Sequence, residues 1–470
     1  MKTLFQFPER STRKAGIHAV TGVMGSISES ELFAWVKEQA SGGKHDSTGQ
    51  FTISISAAWE KMGSFSLPFE DAWVLKLVQS AVRAGVALTV TQSRTETVFE
   101  WGTAWRCHTQ ELEQAMFTVQ VGEITPLSQL GVGLRALARS TRLPFSISYS
   151  DGRRAIWGGE TFMRVADAAA GQTVPFRVSV SHFAVGEAAW LFSLDNIDAR
   201  RRLAAIAKAL THHCHWAPTE ITLDGRPITN MFLDPVFGMS QLHQPMFVLR
   251  APPAPGIPAL TVSARLCDHP EGTADAPRVK VDTSAQMAAA ADLVKPALAV
   301  GLVSMFLELK GSGKNRTYEP ANQASQLVWL QDGVEVSREE LALPKGMVAL
   351  LVVCNAQDLE TDISGFFPRE GPALAHRRSA ALGAISVQFA SAFNDFPKAE
   401  VATDNTYLFG GLLLGSCLFF VEPVMGVMTI IWSGISTFAA KNRNTATQEL
   451  LDGALSRLRN ELWVLVDQPP

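Results

Sequence analysis

The sequence lacks an excess of positive charge and an amino-terminal apolar run. Its formal net charge is −4 at pH 7, with 41 Lys and Arg residues against 45 Asp and Glu residues. Without a basic field, the chain has no general attraction for a phosphate backbone, so nucleic acid is not an expected partner. The first residues reach Pro8 and Glu9 before any long apolar run develops, so no secretory signal is visible. We therefore expect the amino-terminal part to stay in the cytosol.

The cysteines also lack a pattern. They are five in number, scattered, and never in a Cys-x-x-Cys pair, which favours buried, reduced thiols. One of them stands in the cluster His212-His213-Cys214-His215, which has the residue types of a metal site. Adjacent residues of one helix project in different directions, however, and no second ligand pair follows at zinc spacing. We therefore expect no metal there.

What the sequence does contain is ordinary globular material, with 47% hydrophobic and 18% charged residues over 470 positions. Its central stretch is DAWVLKLVQSAVRAGVALTV, residues 71–90. Apolar residues recur at three- and four-residue spacing up to Gly85, and then alternate in period two. The pattern predicts a mostly buried helix that Gly85 ends, followed by a half-covered strand. One helical face is polar and net basic, and it consists of Lys76, Gln79, Ser80 and Arg83.

This helix resembles the first nucleotide-site helix of the GHKL ATPases, the group of gyrase, the ninety-kilodalton heat-shock chaperone and histidine kinases. The family helix reads Glu-x-x-x-Asn-Ala-x-Asp-Ala, and the matching positions here are Lys76, Ser80, Ala81, Arg83 and Ala84. Lysine stands where the family has the glutamate that orients water, and serine stands where it has the asparagine that holds magnesium. The resemblance therefore implies ATP as a weakly bound cofactor, no magnesium, and no hydrolysis by the family mechanism.

Two later segments extend the resemblance. Glu100-Trp101-Gly102 stands where the family has Asp-x-Gly, whose aspartate receives the adenine amino group; the alternative is a solvated turn. Gly131 and Gly133 resemble the second glycine box, placed before an apolar helix with backbone N–H groups facing a phosphate; the alternative is a packing turn. The candidate nucleotide site thus comprises Ser80, Arg83, Glu100, Gly102, Gly131 and Gly133.

The middle of the chain contains two further recognisable patterns. LVWLQDGVEV, residues 327–336, predicts a β-hairpin, and residues 347–367 predict a buried strand followed by an acidic loop. The Asp362-Ile363-Ser364 part of that loop resembles a strand-to-loop junction in the middle domain of the heat-shock chaperone. A hairpin at 221–229, with Asp224-Gly225 as its turn, is predicted to open this second unit.

The carboxyl-terminal part contains two uncharged runs, 407–421 and 424–440, separated only by Glu422-Pro423. Each run is short for a membrane span, so the pattern allows a membrane hairpin, one kinked span or a buried soluble pair. Gly411 and Gly415 stand at Gly-x-x-x-Gly spacing, which favours close helix approach and hence the hairpin. We therefore expect the chain to associate with a membrane through 407–440.

Together these patterns predict an α+β fold: a GHKL-like α/β sandwich, a chaperone-like α/β middle domain and a carboxyl-terminal helical hydrophobic segment. The expected bounds are a lead-in at 1–50, the first domain at 51–192, the middle domain at 193–400 and, at 401–470, the hydrophobic hairpin with a terminal amphipathic helix. The expected function is that of a non-hydrolysing scaffold or regulated membrane effector that binds a protein partner or assembles as a homo-oligomer. Two alternatives stay open: a chaperone-type ATPase in which Glu70 or Asp71 activates water, and a soluble oligomeric interaction protein.

Overall fold

The computed structural model describes most of the chain between residues 67 and 463. The described ranges are 67–69, 71–117, 124–140, 143–157, 162–165, 174–183, 194–228, 236–237, 241–262, 279–280, 295–310, 317–362, 365–395, 400–401 and 448–463. All of them belong to one compact unit, Ala57–Pro470, and a separate unit comprises Met1–Ser56. The predicted lead-in at 1–50, Glu70 and the apolar segment 407–440 lie outside the described residues.

The first half of the described chain forms an eight-stranded sheet with four helices. The helices are α1 Ala72–Ala84, α2 Thr109–Phe117, α3 Pro126–Ser140 and α4 Leu194–His213. The strands are β1 Leu88–Gln92, β2 Glu96–Trp101, β3 Phe145–Ser148, β4 Arg154–Trp157, β5 Phe162–Val165, β6 Arg177–Ser181, β7 Ile221–Leu223 and β8 Arg226–Pro227. Their order is β5-β4-β3-β6-β2-β1-β7-β8, and neighbours are antiparallel except for the parallel pair β1 and β7.

The second half forms a seven-stranded sheet. Its strands are β9 Val236–Phe237, β10 Gln241–Ala251, β12 Ala299–Lys310, β13 Thr317–Pro320, β14 Gln326–Gln331, β15 Val334–Glu340 and β16 Val348–Asn355. The order is β15-β14-β16-β12-β10-β9, and β13 pairs with β12. Helix α5, Pro372–Asp395, packs on β10, β12 and β16. Two short strands, β11 Val279–Lys280 and β17 Glu400–Val401, pair with each other. The fold is therefore α+β, as the sequence predicts.

The predicted helix and strand at 71–90 are confirmed. Trp73 and Leu77 of α1 are buried in the core, and Trp73 packs edge-on against Phe99 of β2. Gly85 ends the helix in the left-handed conformation, with φ of 67°, and its position is therefore one that favours glycine. In the strand that follows, Leu88 and Val90 are buried while Thr89 and Thr91 are exposed. The buried side chains of β1 therefore lie on the side of the sheet against which α1 packs.

The hairpin predicted at 221–229 forms, but it belongs to the first sheet. Its strand β7 lies parallel to β1, with Leu88 opposite Ile221, and the Leu88 N–H donates to Glu220 O over 3.0 Å. The connection between the two sheets therefore follows Pro227. Local pattern identifies a hairpin through its turn, whereas the choice of neighbouring strand depends on a contact far along the chain.

A final helix, α6, spans residues 448–463 and is amphipathic, as predicted. Its buried leucines, Leu451, Leu455, Leu458 and Leu462, recur at helical spacing and belong to the main hydrophobic core. Strand β17, paired with β11, precedes residues 402–447, and α6 follows them. None of the helices in the described part of the chain combines the length and apolar character needed to cross a bilayer.

Candidate functional site

The polar face of α1 is the centre of the candidate site, and it is buried. Lys76 is 2% exposed, and Gln79 and Ser80 are fully buried. The sequence predicts this face as an open nucleotide surface. Instead, two loops of the second sheet cover it: the turn between β14 and β15, and the segment Gly365-Phe366 that follows β16. The face is therefore a contact surface within the chain.

An ion pair anchors the first of these loops. Arg83 Nε donates to Asp332 Oδ2 over 2.7 Å, and the two side chains are only 16% and 3% exposed. Gln129 Nε2 of α3 approaches the same oxygen at 3.4 Å, and Arg83 Nη1 also donates to Ile124 O over 2.8 Å. Burial raises the pKa of Asp332, while the charge and hydrogen bond of Arg83 oppose that rise. The chain itself thus supplies an anion, the carboxylate of Asp332, to the hydrogen-bond donors of α1 and α3.

The turn that presents Asp332 is held tightly. Asp332 and Gly333 are both left-handed, with φ of 51° and 71°, as a two-residue β-hairpin turn requires. A Cβ atom on Gly333 would approach Ala217 Cα at 2.8 Å, so only glycine fits between the turn and the end of α4. The Asp-Gly pair therefore provides the turn geometry of the hairpin. Its glycine also allows the turn to lie directly against Ala217.

Hydrogen bonding at the middle of the face is incomplete. Gln79 Nε2 donates to Gln331 O over 3.1 Å. Among the described residues, however, Gln79 Oε1, Gln331 Oε1 and Ser80 Oγ are buried without a hydrogen-bond partner. A buried polar atom without a partner destabilises the closed arrangement by about 1–3 kcal/mol. The contact is consequently less stable than its ion pair alone suggests.

Lys76 joins the face to the second loop. Its Nζ donates to Gly365 O over 3.0 Å and lies 4.1 Å from the ring centroid of Phe366, a cation–π distance. Burial lowers the pKa of Lys76 from 10.5 to about 7; the carboxylates of Asp332 and Asp362 partly offset this shift, and Arg83 adds to it. Burial therefore disfavours the protonated form of Lys76 in the closed contact.

A cavity of about 430 Å³ opens beside the ion pair. Its walls include Arg83, Asp332, Asn355 and Gln357, so the positive and negative charges on its lining cancel. The start of α3 also borders the cavity, but Thr125 and Ser128 cap it by reciprocal hydrogen bonds of 2.8 and 3.1 Å. A phosphate in this cavity would have to compete with Asp332 and with the cap.

Glu100 and Gly102 do not join this face. Phe99 and Trp101, on either side of Glu100, are buried on the side of the sheet where α1 packs, so alternation directs Glu100 to the opposite side. There Glu100 accepts a hydrogen bond from Arg177 of β6. Gly102 lies beside the start of β1 and donates its N–H to Ala87 O over 2.9 Å. The expected role of Glu100 in binding adenine therefore has no support in this arrangement.

The prediction that Gly131 and Gly133 precede a helix is wrong, because α3 already begins at Pro126. Both glycines lie inside it, where backbone N–H groups bond within the helix and are not free for a phosphate. Their lack of a side chain serves helix packing. A Cβ atom on Gly131 would lie 2.7 Å from Ala115 O of α2, and one on Gly133 would lie 3.1 Å from Trp73 O of α1.

We expect Gly131→Ala to lower the free energy of unfolding by about 2 kcal/mol, because the new methyl group would overlap the backbone of α2. The matched control is Gly453→Ala in α6, where a Cβ atom meets nothing within 4 Å. That change should raise stability by about 1 kcal/mol, as glycine in an open helix interior is unfavourable. Urea denaturation followed by circular dichroism measures both. A stabilising effect at Gly131 would contradict the packing role.

Asp71, the alternative catalytic base, lies immediately before α1. Arg83 is in the last turn of the same helix, so roughly 18 Å of helix separates the two positions. A group held by Arg83 would therefore be out of reach of Asp71. Among the predicted site residues, Ser80 and Arg83 lie on α1, and Gly133 packs against the same helix beside Trp73 and Lys76. Sequence reasoning missed Gln129, Gln331, Asp332 and Gly365, although the Asp332-Gly333 turn itself is predicted.

Comparison with known proteins identifies no relative: no protein-family model matches the chain, and no curated protein matches it significantly. The GHKL and chaperone resemblance therefore stays a hypothesis drawn from the sequence. Function has to be inferred from the chemistry of the α1 face, from the loops that cover it and from the apolar segment between β17 and α6.

Proposed function

We propose that the chain is a non-hydrolysing, GHKL-like scaffold that acts on a membrane through the hairpin 407–440. The observation that carries the non-hydrolysing scaffold role is the burial of the polar face of α1 beneath the turn Gln331–Gly333. In a nucleotide-hydrolysing relative of this kind, the corresponding face would need to be open to ATP. Here the same donors hold a carboxylate of the chain itself, so the face serves contact between the two sheets.

The chemistry of the face supports a scaffold over an ATPase. Lys76, which stands where the family has its water-orienting glutamate, is 2% exposed, and its Nζ contacts Gly365 and Phe366. Ser80 offers one hydroxyl group where magnesium would need stronger oxygen ligands. Arg83, already bound to Asp332, adds a positive charge that repels a divalent cation. Nucleotide binding should therefore be weak and nearly independent of magnesium.

The placement of β17 and α6 supports a hairpin for the apolar segment. Strand β17 pairs with β11 and α6 packs in the main core, so a membrane hairpin that keeps both on one side of a bilayer would cross it an even number of times. The two uncharged runs separated by Glu422-Pro423 match two short crossings. A single span would require α6 to leave the core.

Vesicle leakage tests the membrane part of this proposal. Full-length protein should release a dye from vesicles that contain anionic lipid and should remain with carbonate-washed membranes. A variant in which a Gly/Ser linker of equal length replaces 407–440 should lose both properties while keeping its folded core. Equal leakage from both proteins, or a wild-type chain found only in the soluble fraction, would overturn the membrane role.

Phosphate release and calorimetry test the nucleotide part. We expect phosphate release from ATP at the background rate, and any ATP binding to persist when magnesium is chelated. Glu70→Gln and Asp71→Asn serve as the controls for the chaperone-type alternative, which assigns the role of the missing glutamate to one of these two carboxylates. ATP hydrolysis that either substitution abolishes, or tight binding that disappears with chelation, would establish the ATPase instead.

A further inference from the structure

We infer that the polar face of α1 and the loops covering it form a two-state latch, which opens more readily when Lys76 is protonated. The inference rests on the proposed function for its biological meaning, because the latch would regulate that scaffold. In the closed state, the turn Gln331–Gly333 and the segment Gly365-Phe366 lie on α1. In the open state, they withdraw and water reaches the face.

The first support is the position of Lys76. One side chain connects α1 to the segment after β16, through the hydrogen bond to Gly365 O and the contact with the Phe366 ring. A Cβ atom on Gly133 would lie 3.0 Å from Lys76 Cβ, so α3 packs against the base of this side chain, and Lys76 as a whole is only 2% exposed. The ammonium group cannot reach water without separating these elements, and its protonation is therefore coupled to opening.

The second support is the incomplete hydrogen bonding of the closed face. Gln79 Oε1, Gln331 Oε1 and Ser80 Oγ have no partner among the described residues, although water would satisfy all three in an open state. Opening thus restores hydrogen bonds as well as hydrating Lys76. Both effects oppose the Arg83–Asp332 ion pair and the packing of the Asp-Gly turn, which hold the contact closed.

The charged groups around Lys76 act on its pKa in both directions, but burial has the largest effect. Asp332 of the turn and Asp362 of the following loop favour its proton, Arg83 of α1 disfavours it, and Gln129 of α3 is uncharged. Burial outweighs these charges and lowers the closed-state pKa to about 7, whereas an open, hydrated lysine has its ordinary pKa of 10.5. Between pH 7 and pH 10.5, Lys76 is therefore protonated to a greater extent in the open state than in the closed state.

The sign follows from proton linkage. As pH falls from 10.5 towards 7, proton binding favours the open state, and below pH 7 the contribution of Lys76 is constant. Closure is therefore weakest at and below neutral pH and strengthens in mild alkali. Burial raises the pKa of Asp332 from 3.8, but this carboxyl group titrates on the acid side of the window in which Lys76 acts. Measurements above pH 7 separate the lysine from the carboxylate.

Hydrogen exchange of the full chain between pH 7 and 9.5 tests the latch. The quantity to measure is the opening constant of amides in α1 and in the β14–β15 turn, after correction for the pH dependence of intrinsic exchange. In the wild type it should rise as pH falls, approaching tenfold per pH unit within this window. Lys76→Met should remain closed at every pH, because it has no proton to bind. Lys76→Arg should lose the slope and stay open more often, because its charge persists.

Lys345→Met is the matched control, since Lys345 pairs with Glu340 at the exposed surface and should leave the wild-type slope unchanged. A wild-type opening constant independent of pH, or a slope that survives in Lys76→Met, would overturn the latch. Lys76→Met decides the question even if Lys76→Arg does not fold. The exchange measurement needs no membrane, so failure of the latch is distinguishable from failure of the leakage assay.

Discussion

Replacing Asp332 with asparagine should lower the free energy of unfolding by about 3 kcal/mol. Arg83 would keep its largely buried position but lose the carboxylate at 2.7 Å, which leaves a desolvated charge without a counter-charge. Asparagine tolerates the left-handed conformation of this turn, so the change removes charge and leaves the backbone geometry intact. Urea denaturation at pH 8, followed by circular dichroism, measures the loss.

Two further variants isolate the ion pair. Asp198→Asn breaks a pair with Arg201 whose side chains are 54% and 77% exposed, and it should change stability by less than about 0.5 kcal/mol. The double variant Arg83→Met with Asp332→Asn should recover much of the loss, because no unpaired charge remains buried. If Asp332→Asn had no larger effect than Asp198→Asn, the ion pair could not be what anchors the turn.

Replacing Leu451 with alanine should also cost about 3 kcal/mol, because this side chain is fully buried and its loss leaves a cavity beneath α6. Leu450, the preceding residue, is 55% exposed, and Leu450→Ala should change stability by less than about 0.5 kcal/mol. The two variants have the same composition and differ only in which face of α6 loses a leucine. Thermal unfolding and denaturant titration compare them.

This comparison bears on the membrane hairpin as well as on stability. In the proposed membrane hairpin, the docking of α6 on the core is what favours an even number of crossings. Limited proteolysis should release the carboxyl-terminal helix earlier from Leu451→Ala than from Leu450→Ala. Equal effects of the two substitutions would show that α6 is not docked, and the support for a hairpin over a single span would be lost.

Local features of the fold were predictable from the sequence. The spacing of apolar residues predicts α1, Gly85 predicts its end, and Asp332-Gly333 predicts the turn of the later hairpin, all of which the structure confirms. Each depends on a short stretch of chain and on the conformations that its residues favour. The α+β class follows from the same local patterns.

The contact on α1 could not be predicted in this way. A polar stripe on a helix indicates water or a ligand until its partners are known, and the partner of Arg83 lies 249 positions further along the chain. The direction of Glu100, by contrast, was available in the sequence. Its neighbours Phe99 and Trp101 are large apolar residues, and period-two alternation between them already directs the glutamate away from the helix layer.

The distance along the chain between Arg83 and Asp332 has a consequence for synthesis of the protein. At roughly 5–20 residues per second, a ribosome needs on the order of 12–50 s to extend the chain by the 249 positions that separate them. Throughout that interval α1 exists without the turn that later covers its basic face. Every newly made chain therefore passes through a period in which anions and chaperones of the cell have access to Lys76 and Arg83, before the chain supplies its own carboxylate.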